Sequence, residues 1–336
     1  MKKILLDLPF EENASRRLVE LPGVRVYGPE PHLPNETLPA ELLRGVHVLL
    51  CKFPPKNFDD LTDLELMQLS TVGYEHLRHL RLADRPVRVC NARGLFDTAI
   101  AEWNVAMMIN LRRDLRGMLH NQDRAVWDRD ARFAQEIRGQ IVGLWGYGGI
   151  GRETARLAKA FGMTVYVLSR SGVGPRKDTY ILPGAGDPEG VFPDCIFTPG
   201  QELDFLAALD YLILALPHTQ RTTGLIGAHE LKTLPRTAFV LNPSRGPIID
   251  EQTLLTALRE KWIAGAALDT HFAYPLPPEH PLWHMPNVLL TPHISGDDRS
   301  SAFPARMGDL FVRNVERYLA GQPLLNLVTA DEWREA

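Results

Sequence analysis

Short, nearly continuous apolar runs bounded by Gly, Pro, Asp or Asn recur along this chain at residues 3–7, 24–27, 46–50, 67–70 and 87–90. After a break they resume at residues 141–145, 164–168, 211–216, 237–241, 263–268 and 288–290. Runs of this kind read as strands covered on both faces, the mark of parallel sheets. Between them lie segments with apolar residues at helical spacing. Residues 98–118 predict one long helix with Ala101, Val105, Met108 and Leu111 on its apolar face, and residues 152–161 and 303–319 predict two more. Strand and helix alternating in this way predict an α/β fold with two Rossmann-like or flavodoxin-like domains. The last helical segment has no strand after it and is expected to return to the first domain. The boundaries expected are therefore 1–100 with 297–336 for a substrate domain and 101–296 for a dinucleotide domain, the chain passing between them twice. Residues 172–199, rich in Pro, Gly and Asp, predict a surface excursion.

Between the strand at 141–145 and the helix at 152–161 stands Gly146-Tyr147-Gly148-Gly149-Ile150-Gly151. In a dinucleotide site Gly146 makes the tight turn, Gly148 admits the pyrophosphate to the backbone, and Gly151 lets helix approach strand. The phosphates then meet the free N–H groups of Gly149, Ile150 and the turn that follows. An NAD site usually closes the next strand with an acidic residue for the ribose 2′-hydroxyl. Here that strand ends in Ser169-Arg170-Ser171, with no carboxylate to repel a 2′-phosphate and a guanidinium suited to bind one. The cofactor predicted is NADP(H) in preference to NAD(H), with Arg176 or Lys177 as further sources of positive charge.

Composition narrows the class. With 336 residues, 45% hydrophobic and 23% charged, the chain can bury two cores. A net charge of −4 argues against nucleic acid or an anionic membrane as partner. No apolar run reaches membrane-spanning length, the first residues read as a strand rather than a signal peptide, and a cytoplasmic location is expected. Cys51, Cys90 and Cys195 are odd in number and scattered, so buried thiols are expected rather than disulfides or ligands. No metal site is expected from His271, His280, His284 and His293, which prolines at 275, 277, 278 and 281 keep apart. Trp103, Trp127, Trp145 and Trp262 are read as core or subunit-interface packing.

Four segments, in order, carry a resemblance to a known family: Ser70-Thr71-Val72-Gly73-Tyr74-Glu75-His76-Leu77, the glycine turn, Asn242-Pro243-Ser244-Arg245-Gly246-Pro247-Ile248-Ile249-Asp250, and Thr291-Pro292-His293-Ile294-Ser295-Gly296. The chain resembles the D-isomer-specific 2-hydroxyacid dehydrogenases over nearly its whole length, and within them the glyoxylate and hydroxypyruvate reductases. The resemblance implies a homodimer, a cleft between the domains, and hydride exchange between a nicotinamide and a small 2-keto or 2-hydroxy acid. Reducing a ketone needs a proton donor titrating near neutrality, and His293 is assigned that part. A carboxylate and keto oxygen need a cation of fixed geometry, and Arg245 is assigned to them. By resemblance the backbone amides of Val72 and Gly73 hold the other end of the carboxylate, Asp269 meets the nicotinamide carboxamide, and Pro217 with Thr222 or Thr223 lines the cofactor groove. Lys52, after the strand at 46–50, is expected to add charge for a dianionic substrate.

One departure stands out. Relatives place a glutamate before the proline that follows the Leu-Asp pair, where it raises the pKa of the histidine; here Leu268-Asp269-Thr270-His271-Phe272-Ala273-Tyr274-Pro275 puts Tyr274 there. A phenol can orient an imidazole but stays neutral near pH 7. His293 is therefore expected to titrate lower than in relatives, with Tyr274 orienting it. The alternatives are that Glu279 has taken over, that the protein is a nucleotide-sensing binder with weak or no turnover, or that it oxidises another small anion, as formate and phosphite dehydrogenases of this fold do.

Overall fold

The computed structural model describes residues 1–28, 36–80, 82, 85–329 and 332. The chain divides into two compact units, residues 1–95 with 177–180 and 298–336, and residues 96–176 with 181–297. The short piece 177–180 belongs with the first unit, so the chain passes between units four times rather than the two expected. Its place there is fixed by side chains: Asp178 pairs with Arg317, and the backbone N–H of Tyr180 donates to Asn326 Oδ1 at 3.0 Å.

The first unit is built on five parallel strands, β1 (Lys2–Leu6), β2 (Val24–Tyr27), β3 (Val46–Cys51), β4 (Leu66–Leu69) and β5 (Arg88–Cys90), in the order β2-β1-β3-β4-β5. That is the flavodoxin-like order. Helix Phe303–Leu319 returns to this unit, as its unpartnered sequence position predicts, and lies on helix Glu12–Val19. Gly308 makes the close approach possible, since a Cβ there would stand 2.5 Å from that of Ala14.

The second unit carries seven parallel strands: β6 (Ile141–Trp145), β7 (Thr164–Leu168), β8 (Cys195–Phe197), β9 (Tyr211–Leu214), β10 (Phe239–Asn242), β11 (Gly265–Leu268) and β12 (Val288–Leu290). Their order is β12-β11-β10-β9-β6-β7-β8. The chain enters at β6, moves outward to β8, then returns to β9 and continues the other way. The gap between β6 and β9 is thus the topological switch point, where open α/β sheets bind ligands beyond the carboxyl ends of their strands. Both faces of the sheet are covered: Leu212, Val240 and Ala266 enter one apolar layer, and Tyr211, Ile213 and Leu241 the other.

Two elements differ from expectation. The long helix predicted over 98–118 stops as Asp97–Arg112, and a second helix, Leu115–Asp123, begins after Asp114. Asp114 adopts the left-handed conformation (φ 47°) and its carboxylate accepts from Gly117 N at 3.0 Å, so a side-chain cap ends one helix and starts the next. The excursion over 172–199 contains the edge strand β8, which pairs with β7 over only three residues. Among the described residues no helix is long and apolar enough to cross a membrane.

Candidate active site

The glycine turn leaves β6 and enters helix Gly149–Ala160. Gly146 has φ 102°, and a Cβ there would stand 2.4 Å from the carbonyl oxygen of Ala215 at the end of β9. Glycine is required twice over, by conformation and by the approach of the neighbouring strand. A Cβ on Gly151 would lie 2.5 Å from the Gly146 carbonyl oxygen, and one on Gly149 would collide with the Asp97 carboxylate. Gly148 differs: a Cβ would meet no protein atom within 4 Å, and as N-cap it offers no side chain to the helix. The first amides of this helix, including those of Gly149 and Ile150, have no partner within the helix itself.

At the end of β7 the Ser169 hydroxyl donates to Gly172 O at 2.9 Å, closing a turn that leaves Arg170 and Ser171 exposed. Ser169 is buried, so its part is to shape the turn rather than to meet a ligand with its hydroxyl. After β9, Pro217 is exposed, but the Thr222 hydroxyl donates back to Pro217 O at 2.8 Å and accepts from Thr219 N at 2.8 Å. Thr222 is thus spent on its own loop. The Thr223 hydroxyl likewise bonds Thr219 O.

Arg245, Asp269, Tyr274 and His293 all follow the carboxyl ends of β10, β11 and β12. Asp269 is fully buried, and its carboxylate takes four donors: the Thr291 hydroxyl, Ile294 N at 2.9 Å, Ser295 N at 3.0 Å and the Ser295 hydroxyl. Those contacts fill the lone-pair sites of both oxygens. Within the protein that carboxylate clamps the turn carrying His293, whose φ of 56° is unusual for a side chain with a Cβ. Two residues that the motifs did not flag brace the same turn. Trp103 Nε1 donates to the Thr291 hydroxyl at 3.1 Å, and His271 Nε2 donates to Thr291 O at 2.8 Å. His271 Nδ1, by contrast, is buried without a hydrogen-bond partner among the described residues.

The Arg245 guanidinium donates to Ser244 O at 2.7 Å and has no carboxylate partner among the described residues. The pKa of His293 is lowered below the ordinary histidine value, first by partial desolvation of the ring and next by the Arg245 charge, with Asp269 opposing. Tyr274 lies beside His293, ring centroids 5.5 Å apart. Their contact is ring against ring: the Tyr274 hydroxyl accepts from His271 N at 3.2 Å, and no hydrogen bond joins it to His293 among the described residues. The hydrogen-bonded orientation expected of Tyr274 is replaced by packing. Desolvation raises the phenol pKa, so Tyr274 supplies no negative charge.

In the first unit, Val72 and Gly73 sit in the loop after β4. Their carbonyls accept from Asn91 Nδ2 (3.0 Å) and the Thr71 hydroxyl (2.8 Å), while neither N–H has an acceptor among the described residues. Lys52 is ion-paired with Asp298, so the extra positive charge expected of it is already answered within the protein.

Residues 105–295 match the family described as D-isomer specific 2-hydroxyacid dehydrogenase, NAD binding domain. The chain belongs to the D-isomer-specific 2-hydroxyacid dehydrogenase family. As a member it is an NAD(P)-dependent oxidoreductase with two parallel-sheet α/β domains. It is similar to a glyoxylate reductase of Thermofilum pendens, 31% identical over 84% of this chain and 82% of the relative. A glyoxylate reductase of Thermococcus gammatolerans is 30% identical over 98% of this chain and 96% of the relative. Among solved structures, a family member from Xanthobacter autotrophicus Py2 in complex with NADPH and MES matches with a TM-score of 0.75 and 26% identity, covering 98% of this chain and 99% of that one.

Replacing Asp269 by Asn in this family member sets an amide donor against donors and leaves buried groups unpaired. Asp269→Asn is expected to lower stability by about 2–5 kcal/mol, read by urea denaturation. Wild-type stability in this variant would show that the four contacts do not hold the turn.

Proposed function

We propose that this protein is an NADP(H)-dependent reductase of small 2-keto acids to D-2-hydroxy acids, of the glyoxylate and hydroxypyruvate type. The observation that best supports the reading is the unpaired Arg245 guanidinium beside His293, at the carboxyl ends of a dinucleotide-type sheet. Arg245 binds the substrate carboxylate through paired N–H donors and orients the carbonyl. His293, protonated, gives its proton to the keto oxygen. When bound, NADPH supplies the hydride to the keto carbon. The open space at Gly148 and the first amides of helix Gly149–Ala160 suit the pyrophosphate, and Arg170 with Ser171 suits a 2′-phosphate. The NADPH complex of the Xanthobacter relative supports the same preference. The amides of Val72 and Gly73, which have no acceptor among the described residues, are assigned to a carboxylate oxygen.

The test is NADPH consumption with glyoxylate, hydroxypyruvate, pyruvate and larger aryl or branched keto acids. Expected are highest kcat/KM for the smallest acids, a preference for NADPH over NADH, and a loss of roughly 1,000-fold or more in kcat/KM for Arg245→Gln. The missing carboxylate at Tyr274 favours one rival, a nucleotide sensor; tight NADPH binding without turnover on any acid would establish it. Activity confined to the oxidation of a small oxyanion would instead place the protein with formate or phosphite dehydrogenases.

The sign of the pH dependence follows from His293. Reduction needs the imidazolium, so activity falls as pH rises through its pKa, and a lowered pKa brings that fall to lower pH. Tyr274→Glu adds a negative charge beside the ring and is expected to move the falling limb of kcat/KM upward by about one pH unit. An unmoved profile would remove Tyr274 from the titration of His293.

We also propose a cytoplasmic homodimer. Trp127 is 90% exposed, which rules out the core position considered for it, and Val126 and Leu119 are exposed near it in sequence. Light scattering is expected to give twice the chain mass for the wild type and a monomer for Trp127→Asp; a monomeric wild type would refute the assembly.

A further inference from the structure

Arg152 immediately follows the last glycine of the turn, yet it is only 4% exposed. Among the described residues its guanidinium donates to no carboxylate. Nε donates to Tyr147 O at 3.3 Å, one terminal nitrogen to Asp187 O, and the other to Val173 O at 3.1 Å and Gly174 O at 2.7 Å. The guanidinium also lies over the Tyr147 ring, 4.8 Å from its centroid. Asp187, 1% exposed, is met by the Tyr147 hydroxyl at 2.6 Å and by the amides of Gly190, Val191 and Phe192 at 3.0, 2.9 and 3.0 Å.

One planar group therefore touches both ends of the expected cofactor berth. Tyr147 lies inside the glycine turn, between Gly146 and Gly148. Val173 and Gly174 directly follow the turn over Ser169-Arg170-Ser171 that the Ser169 hydroxyl closes on Gly172. A guanidinium with donors at fixed angles acts as a rigid spacer, which a lysine ammonium cannot. We propose that Arg152, supported by Tyr147 and Asp187, is a positioning residue that sets the distance between the pyrophosphate turn and the Arg170 turn, and thereby the discrimination between NADPH and NADH. The proposal rests on the NADP(H) reading above.

The discriminating readout is a ratio. NADPH and NADH share every contact except those to the 2′-phosphate, so loosening the fold alone weakens both alike. Full-length wild type, Arg152→Lys and Tyr147→Phe are titrated with NADPH, NADH, 2′,5′-ADP and 5′-AMP, with affinities read by calorimetry. Arg152→Lys is expected to lose roughly tenfold in affinity for NADPH and 2′,5′-ADP while NADH and 5′-AMP change less than about twofold. Tyr147→Phe, which removes one hydroxyl from Asp187 and keeps the ring, is expected to lose about threefold in the same direction. If Arg152→Lys does not fold, Tyr147→Phe decides. A wild type that prefers NADPH, with variants that keep the same ratio, overturns the spacer alone. A wild type with no preference for NADPH overturns the cofactor reading, and the spacer with it.

Discussion

The arrangement at the carboxyl ends of β10, β11 and β12 depends on one buried carboxylate. An ionised Asp taken out of water without partners is prohibitively costly, and burial is tolerated only when its lone pairs are filled. Asp269 finds its four donors within residues 291–295. The sequence Thr-Pro-His-Ile-Ser provides them because two hydroxyls and two backbone amides can converge on one point only if the chain turns back on itself at His293. The left-handed backbone of His293 costs about 1 kcal/mol or more, which those bonds offset. His293 is thus aimed by its neighbours' contacts, not by a contact of its own ring with Asp269.

The charge balance follows. Asp269 is saturated by neutral donors, so it does not neutralise Arg245, and the phenol of Tyr274 does not either. The Arg245 cation remains without a carboxylate partner among the described residues and pushes protons off His293. A bound carboxylate reverses that push: once an anion neutralises Arg245, the imidazole binds its proton more tightly than in the free protein. In the proposed reaction, substrate binding and protonation of His293 are linked by the same charge. A site with a glutamate in place of Tyr274 has less need of that linkage.

Much of this was legible in the sequence, for identifiable reasons. The strands announced themselves because parallel strands are apolar on both sides, and the glycine turn because Gly146 and Gly151 have no room for a Cβ. Arg245, Tyr274 and His293 were singled out by the resemblance, and each follows the carboxyl end of a strand, β10, β11 and β12. What stayed hidden depends on partners distant in sequence or on how a hydroxyl is used. Lys52 meets Asp298 from 246 residues away. Thr222 turns its hydroxyl into its own loop. Asp269 looks like any acidic residue ending a strand until its donors are counted. β8 escaped because its apolar run is only three residues long, with Ile196 half-exposed, and the break at Asp114 escaped because the apolar face runs on through it.

Asp269 and Asp187 solve the same problem on opposite sides of β6 in the sheet order. Each is a buried carboxylate that holds a loop through backbone amides and hydroxyls instead of through a lysine or arginine. The choice of donor matters for a protein that handles anions. A carboxylate anchored on a cation would either consume a guanidinium needed for substrate or bring in a second cation whose field must be answered elsewhere. Amide donors fill the lone pairs, fix the geometry and leave Arg245 to an incoming anion. The rigidity of the loops and the availability of the cation are obtained from separate groups, so a substitution at one need not disturb the other.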